Sequence, residues 1–131
     1  MPPSLRDIKK ISLQENVPLE GLIKSVKMRE AIIVTSRRPI EPLGIGKNLR
    51  AKFACIVGTS TFDTDIEAVI RKAKIAIKYG ASVIHNGSAG GDVWEIQKRL
   101  LENVDVPLAT CHPVGVMANA CNKKERFIDV K

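Results

Sequence analysis

From Ala51 onward, short apolar stretches alternate with amphipathic stretches of helical period, and each changeover is marked by glycine or a capping residue. No other feature restricts the fold as much, because two parallel strands need a long crossover and a helix is the usual way to supply it. Lys52–Val57 reads as a strand, with Gly58-Thr59-Ser60 as the turn at its carboxyl end. Thr64 with Glu67 forms a capping box opening a helix that sets Ile66, Val69, Ile70, Ala73 and Ile77 on one face, and Gly80 ends it in the left-handed conformation. A second strand, Ser82–Asn86, runs into Gly87-Ser88-Ala89-Gly90-Gly91. Asp92 and Glu95 then cap a helix that carries Val93, Ile96 and Leu100 inward as far as Asn103, and Val106–Cys111 is a third strand. The expected class is α/β with parallel βα units. A doubly wound sheet and a segment of a (β/α)8 barrel both fit three such strands, and both place function at the strands' carboxyl ends.

Before Ala51 the pattern differs. Ser4 can cap a helix reaching about Glu15, with Leu5, Ile8, Ile11 and Leu13 as its buried stripe. Pro18 suits the first turn of a second helix bearing Leu19, Leu22, Ile23 and Val26. Ala31-Ile32-Ile33-Val34-Thr35 reads as a buried strand, Pro39 and Pro42 close it, and Gly44 and Gly46 keep the connector irregular up to Ala51. Two parts follow, a mostly helical and extended segment over 1–50 and the βα segment over 51–131. The hydrophilic tail from Asn122 to Arg126 precedes Phe127-Ile128-Asp129-Val130, which resembles the start of another element.

Charge separates the same two parts. Residues 1–52 carry eleven Lys/Arg against five Asp/Glu, whereas the remainder carries ten against nine. The basic clusters Lys9-Lys10, Arg37-Arg38 and Lys47/Arg50/Lys52 lack aromatic residues for base stacking, with only Phe53 at their edge, so a solvated surface is expected rather than a nucleic-acid face. No apolar run is long enough to span a membrane and no secretory signal is expected. Three widely spaced cysteines, Cys55, Cys111 and Cys121, suit neither a disulfide framework nor a zinc ribbon and point to a reducing, cytoplasmic setting.

Two loops could carry chemistry. Gly58-Thr59-Ser60 and Gly87-Ser88-Ala89-Gly90-Gly91 both sit between a strand and a helix, where backbone N–H groups and hydroxyls offer donors to a phosphate. The second loop is the better candidate, although it matches neither the Walker nor the dinucleotide pattern and its glycines are equally what a tight turn requires. The candidate phosphate-binding residues are Ser60, His85, Ser88, Gly90 and Gly91. Cys55, His85, Cys111 and His112 could converge as a Cys/His metal site or a thiol with an imidazole partner, although buried cysteine is more often a small hydrophobe. No metal ligand and no catalytic residue is assigned. Trp94 is read as a packing anchor.

Taken in order, Ile40-Glu41-Pro42-Leu43-Gly44-Ile45-Gly46, Gly58-Thr59-Ser60, Lys78-Tyr79-Gly80-Ala81, Ser88-Ala89-Gly90-Gly91-Asp92 and Val104-Asp105-Val106-Pro107 resemble the phosphomethylpyrimidine synthase family. The resemblance runs from about Val17 to Met117. It implies a partial TIM barrel after a small N-terminal region, in a radical S-adenosylmethionine lyase of thiamin biosynthesis that converts aminoimidazole ribonucleotide into hydroxymethylpyrimidine phosphate with a [4Fe–4S] cluster. The family's cluster-binding cysteines lie in its C-terminal half, so this chain by itself is expected to hold no cofactor and to be truncated or divergent. A noncatalytic phosphate- or nucleotide-binding half-barrel is the alternative. The implied partners are a phosphorylated small molecule and, to close the barrel, a homo-oligomer or a complementary C-terminal half. Within the matched region the family's Asn-Ala-Asn-Ile-Gly is here Ala54-Cys55-Ile56-Val57-Gly58, and its Met-Asp-Leu-Ser is His85-Asn86-Gly87-Ser88, so a substrate-contacting asparagine and methionine are replaced. Its Pro-Ile-Tyr falls near His112-Pro113-Val114, without the tyrosine.

Overall fold

The computed structural model describes residues 3–111, and the chain divides into two compact units between Lys52 and Phe53. The expectations placed on His112, Pro113, Cys121 and the stretch 122–131 lie outside the described residues.

In the first unit, helix α1 (Leu5–Glu15) starts where Ser4 Oγ accepts from the Asp7 N–H and the Asp7 carboxylate accepts from the Ser4 N–H. This reciprocal capping satisfies two donors that a helix start would otherwise leave unpaired. Only part of the expected stripe is buried: Ile11 is enclosed and Ile8 packs beside it, whereas Leu5 and Leu13 are exposed. Helix α2 (Leu19–Lys27) has Pro18 as its N-cap residue rather than inside its first turn.

Strand β1 (Ala31–Val34) is only half buried, because its alternation sends Ala31 and Ile33 into the core while Ile32 stays exposed. It pairs antiparallel with β2 (Leu43–Gly46), which the sequence reading took for irregular chain. The two glycines are there for want of room. A Cβ on Gly44 would lie 2.7 Å from Ile11 Cγ2, and one on Gly46, where φ is +135°, would lie 2.5 Å from Ala31 Cα. Ile11, Leu22, Ala31 and Ile33 form this unit's core. Beside it the Glu15 side chain, only 5% exposed, meets Lys52 Nζ at 2.9 Å and Arg50 Nε at 3.1 Å, and accepts the Arg50 N–H at 3.0 Å.

The second unit is a mixed α/β arrangement in which β3 (Phe53–Val57), β4 (Ala81–Asn86) and β5 (Leu108–Thr110) form a parallel sheet in that order. Helices α3 (Ile66–Lys78) and α4 (Val93–Asn103) connect consecutive strands. The cap of α3 is Asp65, whose side chain accepts from the Ala68 N–H, and not Thr64 as expected; both are good cap residues and they differ by one position. Gly80 has φ +98° just after α3, as its position predicts. The core is aliphatic: Val57, Val69, Ile70, Ala73, Ile84, Ile96 and Leu100 are all buried in it. Arg99 on α4 and Glu67 on α3 pair across the outer surface.

Because strand side chains alternate, the sheet has two different faces. Val57, Ile84 and Asn86 lie on the helix side. On the other side lie Ala54, Ile56, His85 and Ala109, with Ile56, His85 and Ala109 in one register row. Ile56 is 69% exposed, so the described residues leave this second face open.

Candidate functional site

The carboxyl ends of β3 and β4 run into loops that are stitched to one another. Gly87 N–H donates to the Val57 carbonyl at 2.8 Å and Ala89 N–H to the Thr59 carbonyl at 3.0 Å, extending the pairing of the two strands past the sheet. The Thr59 hydroxyl donates to the Gly90 carbonyl at 2.6 Å, and the Thr59 N–H donates to Ser88 Oγ at 3.2 Å. Asn86 Oδ1 accepts from both the Ser88 N–H, at 3.1 Å, and the Ser88 hydroxyl, at 2.6 Å. Asn86 Nδ2 in turn donates to Gln97 Oε1 of α4 at 3.0 Å. Thr59, Asn86 and Ser88 are all buried, where an unpaired polar atom would cost about 1–3 kcal/mol, so these bonds act together to fix one arrangement.

The glycines permit the close approach. A Cβ on Gly58 would lie 2.6 Å from the Ser88 nitrogen, and one on Gly90 would lie 2.2 Å from the Ser60 carbonyl oxygen. Gly91 has φ +73°, a conformation open to glycine at little cost.

Of the expected site residues, Ser60, Ser88, Gly90 and Gly91 lie together on this loop pair. Both donors of Ser88 are committed within it, as is the Ser60 N–H, which donates to the Asp63 carbonyl. Ser60 Oγ accepts from the Phe62 and Asp63 N–H groups, closing its own turn. Ser88, 2% exposed, uses its hydroxyl both as donor and as acceptor. At the start of α4, Asp92 Oδ1 accepts from the Trp94 and Glu95 N–H groups. His85 stands apart on the open face of the sheet, its Nε2 buried without a hydrogen-bond partner among the described residues.

The suggested convergence of Cys55, His85 and Cys111 is not formed. Cys55 is level with Ile84 on β4 and packs toward the helix-side core, so His85, one residue further along β4, points to the opposite face. Cys111 lies exposed beyond β5, and β4 separates β5 from β3. Among the described residues no group of three or more His, Cys, Asp or Glu side chains could hold a metal ion, so these residues do not suit an iron–sulfur cluster.

Trp94 is not a packing anchor, since it is 53% exposed. It forms one wall of a cleft of about 180 Å³ with Val93, Gln97, Asn86, Thr110 and Cys111. Asn86 and Gln97 escaped the sequence reading. The one available signal was the alternation that sends Asn86, two residues before Ser88, to the helix side.

Parallel βα units whose strands end in a shared loop system define an α/β protein, a class in which ligands bind at the strands' carboxyl ends. The sequence matches the model of the Radical SAM ThiC family over residues 4–131, and the chain belongs to that family. It is 36% identical over 125 residues to the phosphomethylpyrimidine synthase of Methanocaldococcus jannaschii, a match covering 95% of this chain and 29% of that protein. Identity to the phosphomethylpyrimidine synthase of Methanococcus aeolicus is 35% over 125 residues, with the same coverage. For the one from Thermococcus kodakarensis it is 37% over 106 residues, covering 79% of this chain and 25% of that protein. The chain thus spans less than a third of the length of these curated relatives. No helix among the described residues is long and apolar enough to cross a membrane.

Proposed function

We propose that this chain supplies the opening βα units of a phosphomethylpyrimidine-synthase-like (β/α)8 barrel and serves thiamin pyrimidine synthesis only together with the remaining units. The observation that carries this reading is a match over 95% of the chain that reaches 29% of the relative, joined to a parallel sheet with one face open. In a closed barrel that face would be the interior, and further strands would cover Ile56. The partner that closes it is a complementary C-terminal half or a further copy of the chain, in the cytoplasm. The reaction is the conversion of aminoimidazole ribonucleotide into hydroxymethylpyrimidine phosphate. S-adenosylmethionine and a [4Fe–4S] cluster would supply its radical chemistry from outside the described residues. The substrate phosphate would approach the loop pair of Ser60, Ser88, Gly90 and Gly91, with the buried Ser88 acting through the Thr59 backbone as a positioning residue.

A second reading, a noncatalytic phosphate- or nucleotide-binding half-barrel working with a partner chain, is favoured by one specific pattern. Ala54, Ile56 and His85, where this sequence departs from the family's Asn, Asn and Met, all lie on the open face. A chimera separates the two readings: the matching segment of the Methanocaldococcus jannaschii synthase is replaced by this chain, and pyrimidine phosphate formation is assayed. Turnover supports the synthase reading. A folded, cluster-loaded chimera without turnover overturns it and favours the binding module.

A further inference from the structure

We infer that the cleft between α4 and β5 binds a small, uncharged heteroaromatic ring that offers a hydrogen-bond acceptor on its edge. At about 180 Å³, the cleft falls below the roughly 300 Å³ at which pockets for drug-sized ligands begin. It therefore admits a single ring system and not a whole nucleotide. None of its described lining residues is charged, so a phosphate entering it would lose hydration with no cation in return. The indole of Trp94 provides an exposed aromatic surface for stacking, and Val93 adds an apolar one.

The polarity of the cleft's edge follows from a chain of hydrogen bonds with no free choice in it. The Ser88 backbone nitrogen can only donate, and it donates to the Asn86 side chain at 3.1 Å. The atom it meets must therefore be the amide oxygen, which turns Asn86 Nδ2 toward Gln97. Nδ2 can only donate as well, and its 3.0 Å contact must be with the Gln97 oxygen. Gln97 is left with its amide nitrogen, which no hydrogen bond to a described residue engages. Of the two side-chain amides in the cleft's lining, Asn86 is engaged at both its oxygen and its nitrogen, whereas Gln97 keeps a donor, which selects a ring with an acceptor.

The test uses the full 131-residue chain and two bicyclic probes at mildly alkaline pH, where both are uncharged. Isoquinoline has a ring acceptor and no donor, and indole has a donor and no ring acceptor. Trp94 is the sole tryptophan, so its indole N–H resonance, read with the Gln97 amide, reports occupancy of the cleft without ambiguity. Isoquinoline should bind about two- to tenfold more tightly than indole, the ratio that one neutral hydrogen bond supports. Asn86→Asp can still accept from Ser88 but cannot donate, so Gln97 must turn its nitrogen to the new carboxylate and its oxygen to the cleft, and the preference should reverse toward indole. Should that variant fail to fold, Gln97→Leu decides, because it should bind both rings about equally. The inference is overturned if neither probe moves the Trp94 resonance up to about 10 mM, well beyond the Kd of a weak 4 kcal/mol site. It is overturned equally if the unaltered protein does not discriminate, or if a folded Asn86→Asp or Gln97→Leu keeps the isoquinoline preference.

Discussion

Ser88 and Asn86 are joined twice, since the Ser88 N–H and the Ser88 hydroxyl both donate to the one side-chain oxygen of Asn86, at 3.1 and 2.6 Å. That oxygen organises two loops, because Ser88 Oγ is also the acceptor for the Thr59 N–H. Ser88→Ala should therefore destabilise the second unit by about 1–3 kcal/mol, the cost of leaving a buried amide unpaired. Urea unfolding followed by Trp94 fluorescence measures it. A loss below about 0.5 kcal/mol, the range of ordinary surface substitutions, would mean that the hydroxyl holds nothing in place.

Two glycine substitutions should have opposite signs. Gly90→Ala puts a Cβ 2.2 Å from the Ser60 carbonyl oxygen, a backbone atom that cannot swing away, and should cost at least 2 to 3 kcal/mol, of the order reported for overpacked sites. Gly21→Ala lies in α2 with nothing within 4 Å of the new methyl, and should stabilise the first unit by about 0.5–1 kcal/mol through helix propensity and chain entropy. Circular dichroism melts of the two variants beside the unaltered chain compare them. Equal shifts would contradict the steric reading of Gly90.

Burial of the Glu15 carboxyl pushes its pKa upward, but hydrogen bonds from Lys52 and from the Arg50 backbone and side chain outweigh this and lower it from 4.5 to about 2. A carboxylate with a depressed folded-state pKa contributes stability above its unfolded value and loses it as pH falls toward the folded one. Glu15 should thus stabilise the first unit by up to about 3 kcal/mol above pH 4.5, at about 1.4 kcal/mol per pKa unit. That gain should fade between pH 4.5 and 2. Asp7, Glu41 and Asp65 are lowered too, so the difference between the unaltered chain and Glu15→Gln isolates the Glu15 share. Acid unfolding curves that run parallel across this window would refute it.

The open face of β3–β4–β5 leads to an expectation about association. With Ile56 at 69% exposure on β3, which has no second partner strand among the described residues, the chain at micromolar concentration should self-associate or await a complementary half. Ile56→Asp should shift sedimentation toward the monomer. A cooperatively folded monomer of the unaltered chain would count against the idea.

Much of the second unit was readable from the sequence because its helices advertise themselves: Val69, Ile70 and Ala73 recur at helical spacing in α3, and Ile96 and Leu100 do so in α4. Strand β2 was not readable. Gly44 and Gly46 carry the marks of a breaker, and only the approach of α1 to Gly44 and of the β1 backbone to Gly46 explains why glycine belongs inside a strand there. The Glu15 ion pairs were hidden for a related reason, since Arg50 lies 35 residues further along the chain and no local pattern joins them. At the candidate site, the loops were visible as glycine-rich motifs, while their bonding was not. Whether a serine serves a ligand or a neighbouring loop depends on what Asn86 and Thr59 do in three dimensions.

The bonds that Thr59 makes to Ser88 and Gly90 bear on how this fold can be altered by transplantation. Each loop supplies acceptors or donors that the other lacks, and Gly58 and Gly90 each leave room for the other loop's backbone. Neither loop is an interchangeable part. A recombined protein that takes residues 58–60 from one parent and 87–91 from another inherits halves of a fastening cut to different patterns, so a crossover placed between them has to carry both loops from one source.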